Sequence, residues 1–420
     1  MPRQPAAPIG KPGLSRRTFL KGSVAASAAV VGGGVLSTAL RPSRVRAADT
    51  PIEHIIVACQ ENRSFDHYYG YAPQVQAAGF GPPPGYSQPN PGGTPDPFPP
   101  YRFTELQTPD VPHDWGSVHG QWNGGAMDGF MTHSGEWAMG YYTEAELPFY
   151  YGLFEDSTLC GNLYCSLLGP TWPNRFYLMA GTSGGITTNG LWGYGIFDHP
   201  MILDLLDAAG ISWKIYNVTW DSVPFGNTDN VAVFWENFAH DNRTRGNRGS
   251  YLNDLRKDRL PQVSFIIPSF ARGLDEHPPA DVSIGMGIQE QLVSALRESA
   301  AWDSSAYIIT YDEHGGYFDH AVPPQLDAFG LGVRIPTWII SPWAKPGHIE
   351  GTTYELSSIL KFIERVFGLP TLASVNHQFD TATPVGGNYQ AAAEGATSGP
   401  PAPPRDGRSD IGDLFECFTF

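Results

Sequence analysis

Three stretches of this 420-residue chain gather side chains able to do metal and acid–base chemistry: Gln60-Glu61-Asn62-Arg63-Ser64-Phe65-Asp66-His67, the group Arg272, Asp275, Glu276 and His277, and Asp312-Glu313-His314-Gly315-Gly316. Glu61, Asn62, Asp312 and Glu313 together offer carboxylate and amide oxygens. A hard divalent cation prefers such ligands, and three carboxylates brought together need a cation to offset their repulsion. A single acidic residue beyond a strand is ordinarily a solvated loop group or a helix cap. Two adjacent pairs, each directly beyond an apolar run, favour a metal site.

A nucleophile is offered by Gly169-Pro170-Thr171-Trp172-Pro173-Asn174-Arg175. Thr171 stands where a helix through Phe176, Leu178 and Met179 would take its N-cap, and a proline in the first turn supports that start. A hydroxyl there sees free backbone N–H groups and the positive end of the helix dipole, a seat for phosphate. Thr171 is then either a cap alone, or an oxygen that a metal polarises for attack on phosphorus to give a covalent phospho-enzyme. Four histidines accompany it: His113 in Pro112-His113-Asp114-Trp115, His119, His277 before Pro278, and His314. Lone histidines are mostly structural. His277 and His314 follow strand ends, where they can stabilise phosphate or protonate a leaving alkoxide.

The elements that must position these groups show as short apolar runs, read as buried strands: Ile52 to Cys59, Ile211 to Tyr216, Val263 to Ile267, Tyr307 to Thr310, and Thr337 to Ser341. Continuous Val/Ile runs without alternation indicate a sheet covered on both faces. Helical spacing appears at Ile288, Leu292, Leu296 and Ser299, and again at Leu356, Ile359, Leu360, Ile363 and Phe367. Met201 to Ala209 reads as a short helix stopped by Gly210. Strand, helix and strand over 263–310 make a βαβ unit, so the fold class is α/β with a mainly parallel sheet. The carboxyl ends of parallel strands face the ligand crevice, so polar groups some 250 residues apart can converge there.

Two stretches break the alternation. Residues 72–150 are loop-like and rich in Pro, Gly and aromatic residues, a long insertion of the kind that walls a site. Residues 371–408 are Pro/Ala/Gly-rich and are expected to wrap the surface before Leu414-Phe415 anchors the end. The expected organisation is a leader at 1–47, one catalytic domain at 48–370 carrying the insertion, and a C-terminal extension at 371–420 packing on the core.

The leader reads from Ser15-Arg16-Arg17-Thr18-Phe19-Leu20-Lys21, paired arginines ahead of the weakly apolar Gly22 to Leu40. With Ala47 as cleavage point, it is expected to direct twin-arginine export, making the protein secreted or cell-envelope. No other run is long enough for a membrane span. The net charge is −16; without the first 47 residues, which hold eight basic and no acidic side chains, it becomes −24. Such a surface repels nucleic acid and anionic lipid. Four cysteines are too few for a disulfide scaffold, and none lies in a C-x-x-C pattern; buried thiols or one bridge are expected, with Cys160 and Cys165 close enough in sequence to pair.

Residues Gln60 to Gly70 resemble the opening motif of the bacterial phosphoesterases that comprise non-haemolytic-type phospholipases C and respiratory-burst-inhibiting acid phosphatases. Asn123-Gly124-Gly125-Ala126-Met127-Asp128-Gly129-Phe130, the Gly169 to Arg175 segment, Glu276-His277-Pro278-Pro279 and Tyr311-Asp312-Glu313-His314-Gly315-Gly316 follow in that family's order. The resemblance implies an alkaline-phosphatase-like three-layer α/β/α sandwich and hydrolysis of phosphoric esters. It implies metal ligands at Glu61, Asn62, Asp312 and Glu313, with Thr171 as the nucleophile that also touches the metal. It places His113 and His277 on the phosphate, with His314 beside them. The chain is expected to be without the C-terminal β domains of many family phospholipases C. A phospholipid head group and a soluble monoester, the latter making the protein a broad acid phosphatase, therefore both stand as substrates. A non-catalytic exported binding protein is the reading from another class, and would hold no metal. A sulfatase-like hydrolase is opposed by the missing Cys-x-Pro-x-Arg motif.

Overall fold

The computed structural model describes residues 48–190, 193–218, 229–380 and 401–420. The expected leader and residues 381–400 of the extension lie outside the described residues. Eight strands form the central sheet: β1 (His54–Gln60), β2 (Thr158–Cys160), β3 (Trp213–Val218), β4 (Gly246–Asn247), β5 (Val263–Pro268), β6 (Ser305–Tyr311), β7 (Trp338–Ile340) and β8 (His348–Glu350). Their spatial order is β8-β2-β7-β6-β1-β5-β3-β4. β1 is central and pairs in parallel with β5 and β6, in registers running from Ile55↔Val263 and from His54↔Ser305 to Gln60↔Tyr311. β7 runs antiparallel to both β6 and β2, the exception in an otherwise parallel sheet.

β5 and β6 are buried at every position and β1 at all but its first, so both faces of the sheet are covered and it forms the middle of three layers. Seven helices matter to the site and its cover: α1 (Phe65–Tyr69), α2 (Trp115–Trp122), α3 (Thr171–Ala180), α4 (Ile202–Ala209), α5 (Arg248–Arg256), α6 (Val282–Arg297) and α7 (Leu356–Phe367). α3 packs on α7, and α5 on α6. α4 ends where Gly210 turns left-handed at φ 73°, a conformation glycine adopts without Cβ strain. α6 begins at Asp281, whose carboxylate accepts from Ser283 N–H. Among the described residues no helix is long and apolar enough to cross a membrane.

The structure differs from the sequence expectations in three respects. Residues 72–150 are not bare loop: they hold α2, the short helices Pro73–Ala78, Phe130–Ser134 and Pro148–Gly152, and a two-residue pairing of Tyr101–Arg102 with Gly140–Tyr141. Helices of one or two turns are too short for a 3.6-residue period to stand out. The short strands β2, β4 and β8 were equally invisible, having only two or three residues each. The βαβ unit over 263–310 is real, but β1 lies between β5 and β6, so its two strands are not neighbours.

All four cysteines are buried free thiols. Cys160 faces Cys417 rather than its sequence neighbour Cys165, whose sulfur donates to Leu167 O. The chain end is held by its apolar residues: Leu414 is buried, and Phe418 stacks on Phe362 of α7 with centroids 5.1 Å apart.

Candidate active site

The register Gln60↔Tyr311 ends β1 and β6 at the same level, so Glu61 and Asp312 leave the sheet side by side although 251 positions separate them. The two loops are then laced together. Asp312 N–H donates to Gln60 O, Asn62 N–H to Asp312 Oδ1 (3.3 Å) and Arg63 N–H to Glu313 O. Asn62 turns left-handed (φ 63°), which its short polar side chain tolerates. Gly315 must be glycine, since a Cβ there would lie 2.3 Å from Asn62 O at a φ of +64°. β5 delivers the third loop, and Asp275 O accepts from Glu61 N–H.

Arg175 stands among these loops, buried on α3. Its Nη2 is 2.9 Å from Glu61 Oε1 and its Nε 3.3 Å from Asp312 Oδ2. Thr171 is one helical turn earlier, on the same face of α3 as Arg175. Here the expected cap is corrected: the N-cap residue is Pro170, and the Thr171 hydroxyl caps no backbone N–H. Asn189 Oδ1 instead accepts from Trp172 N–H at 2.8 Å, so the helix start is satisfied from another loop. Thr171 is buried next to Pro170, which with Asp110, His113, Trp115, Thr187 and Asn189 lines a cleft of about 570 Å³.

His113 reaches the cluster from the insertion. Its Nε2 lies 3.2 Å from Asn62 Nδ2 and 3.8 Å from Glu313 Oε1, while Nδ1 meets Val111 O at 2.7 Å. The His277 ring packs edge-on against it, centroids 5.6 Å apart. His314 is placed differently: fully buried behind Glu313, with Nδ1 3.4 Å from Glu313 Oε2 and Nε2 2.7 Å from Gln121 Oε1. It orients a carboxylate and does not line the cleft. His119 bonds Trp115 O within its own helix.

Burial and the neighbouring Asp229, Asp312 and Asp275 hold the Glu61 carboxyl well above its usual range, against the pull of Arg175. Burial pushes Asp312 up to about 7 and, with Asp229, Asp275 up to about 8. Burial also acts on Glu313, but His113 and His314 overcome it and keep that carboxylate low. His113 resists its own burial through Glu313 and Asp110 and is raised, whereas burial lowers His277. One arginine thus faces several carboxylates, an imbalance that a bound cation relieves.

The donors fit a divalent cation. Asn62 Oδ1 and Glu313 Oε1 are buried and accept no hydrogen bond, and the oxygens around them are hard ligands. Glu61, Asp229 and Asp275 also bring one carboxylate oxygen each to within 4.8 Å of one another. Asp229 gave no signal in the sequence, because no strand end or motif precedes it.

Glu276 is another residue whose role was not legible. Left-handed at φ 73° and buried, it accepts from Gln60 Nε2 (2.9 Å) and from the hydroxyls of Tyr68 and Tyr311 (both 2.6 Å) and Tyr150. Arg63 Nε donates to its carbonyl. This clamp fixes the turn that carries Asp275 and His277.

Comparison with known proteins identifies the family of the chain. The phosphoesterase family profile matches residues 52–370. Phospholipase C B of Mycobacterium tuberculosis is 31% identical over 439 residues, spanning 85% of this chain and 82% of that one. Non-hemolytic phospholipase C of Burkholderia pseudomallei is 31% identical over 84% of this chain and 61% of its own length. Among solved structures, an alkaline phosphatase superfamily protein from Vibrio parahaemolyticus is 11% identical, with TM-score 0.42 over 86% of this chain and 77% of that one. With three quarters of its residues inside that profile, the chain belongs to the phosphoesterase family and is a hydrolase of phosphoric esters.

Proposed function

We propose that the chain is a metal-dependent phosphoric ester hydrolase in which Thr171 attacks phosphorus and carries the phosphoryl group as a covalent ester. The observation that carries this reading is the uncapped Thr171 hydroxyl, one turn ahead of the arginine that joins Glu61 to Asp312. A divalent cation held by Glu61, Asn62, Asp312, Glu313 and the Thr171 oxygen would supply Lewis-acid polarisation and neutralise charge on the ester. Trp172 N–H is held by Asn189 and Pro173 has none, so the Thr171 N–H is the donor that the start of α3 offers a phosphate oxygen. His113, whose basicity Glu313 and Asp110 raise against its burial, gives its proton to the leaving alkoxide. His277, favoured neutral by burial, takes the proton of Thr171 and returns it to that oxygen when water cleaves the ester, while His113, left neutral by the first step, takes the proton of the water. His314 keeps Glu313 in place.

The test is Thr171→Ala. It is expected to lower turnover of an aryl phosphate by about 10³-fold or more while fold and metal stoichiometry persist. Thr171→Ser, which keeps the hydroxyl, should retain most of the rate. Undiminished turnover by a folded Thr171→Ala variant removes the mechanism.

For substrate, the relatives' names favour a phospholipid and phospholipase C-type cleavage at its head group. Trp115 in the cleft offers a ring face to a quaternary ammonium. Comparing phosphatidylcholine with a soluble aryl phosphate in one buffer separates this from broad acid phosphatase activity.

A further inference from the structure

The chain end is seated with its register fixed on two sides. Cys417 O accepts from Lys345 N–H (3.0 Å) and from Thr158 Oγ1 (3.1 Å), and Thr419 N–H donates to Trp343 O (2.9 Å). Phe418 pairs with Ala344 as an antiparallel bridge. Cys160, the last residue of β2, is fixed as firmly: its N–H donates to Thr337 O at 2.9 Å, and it lies opposite Glu350 of β8. These constraints bring the two sulfurs to 3.9 Å with both residues fully buried. Among the described residues no other pair of cysteine sulfurs is in contact. Cys59 sulfur donates to Gln60 O and Cys165 sulfur to Leu167 O. No His, Asp or Glu joins the pair to make a metal-ligand group among the described residues.

We propose that Cys160 and Cys417 form a disulfide that staples the C-terminal tail to the edge of the central sheet. The oxidant is a disulfide donor such as glutathione disulfide. One thiolate attacks the donor to give a mixed disulfide and one released thiol, and the second cysteine then displaces the other. Two S–H bonds are lost and one protein S–S bond forms, while glutathione disulfide is reduced to two thiols. Side-chain rotation of the two cysteines closes the remaining gap, because the backbones already run alongside each other. Hydrogen bonding to Cys417 and burial hold the Cys160 thiol well above its usual value, so the pair is inert once buried and the bond closes as the tail docks. About three fifths of the chain lies between the two residues. The cross-link therefore restricts the unfolded chain over a long loop, the situation in which it stabilises most. Export, as expected from Arg16-Arg17, would put the chain where such a bond persists. The staple is independent of the phosphoesterase mechanism.

The test refolds the full chain from denaturant in a buffer of reduced and oxidised glutathione, alkylates free thiols, and maps the peptides by mass spectrometry without reduction. The expected product joins the peptide bearing Cys160 to that bearing Cys417, with Cys59 and Cys165 alkylated. No Lys or Arg separates Cys160 from Cys165, so tryptic peptides do not resolve them and variants assign the bond. The cross-link should survive in C165S and vanish in C160S and C417S. Reductant should lower the thermal midpoint of the native chain and of C165S by several degrees, and leave that of C417S unmoved. Four alkylated thiols, a Cys160–Cys165 bond, or a cross-link surviving in C160S overturns the proposal.

Discussion

Thr171 opens α3 and Arg175 stands one turn on. The start of α3 beside Thr171 was legible, since prolines at a helix start are a recognisable signal. The arginine was not, because a basic residue in a helix ordinarily reads as solvated surface, and only the packing of three loops makes it the counter-ion of Glu61 and Asp312. Removing one partner of a buried ion pair leaves uncompensated charge. Arg175→Met should therefore cost about 3–5 kcal/mol of stability in metal-stripped protein. Part of that loss should return when divalent cation is restored, because a ligand that binds only the folded state stabilises it. Chelator-treated and metal-replete samples, unfolded in urea, check this: an equal loss in both would detach Arg175 from the metal question.

At the scale of elements, long buried strands were readable as apolar runs, and α7 as a helical stripe over the residues the structure assigns to it. Strand order was not readable, because it depends on which pairings close the sheet rather than on any local pattern. Nor was the second knot that joins loops across the fold. Arg334, just before β7, places Nη2 3.0 Å from Asp66 Oδ1 and Nε 3.0 Å from Asp319 Oδ1, and donates to the carbonyls of Phe80 and Gly161. His320 closes the group on Asp66. This knot ties α1, which follows the turn bearing Glu61 and Asn62, to the loop that follows β6. Arg334→Ala strands two buried carboxylates and should cost about 3–5 kcal/mol in urea unfolding. A change below roughly 1 kcal/mol would mean that the loops hold their positions without it.

For the whole molecule, the C-terminal tail is part of the folded body through a buried carboxyl pair. Glu364 on α7 and Asp406 both sit near the N–H of Leu372, and Asp406 also accepts from Ala373 N–H. Burial, then Asp406, lifts Glu364 well above its usual range, and burial lifts Asp406 as well. The folded state therefore holds a proton that the unfolded chain releases. The sign follows: this stability is present at low pH and is lost as pH rises through the raised folded value. Glu364→Gln, which keeps a donor without a titration, should flatten that loss in thermal melts across pH, and an unchanged profile would contradict the assignment to Glu364. No sequence signal marks such a pair, since each partner alone is an ordinary surface acid. Export belongs to this scale too. Replacing Arg16 and Arg17 together by lysine is expected to retain the protein inside the cell, and undiminished appearance outside it would remove the twin-arginine assignment.

The account stands or falls on where the phosphoryl group goes. Protein turning over an aryl phosphate, quenched in acid and mapped by mass spectrometry, is predicted to carry a phosphoryl ester on Thr171 and none in Thr171→Ala. A phosphoryl group on any other side chain of the active native chain would contradict it.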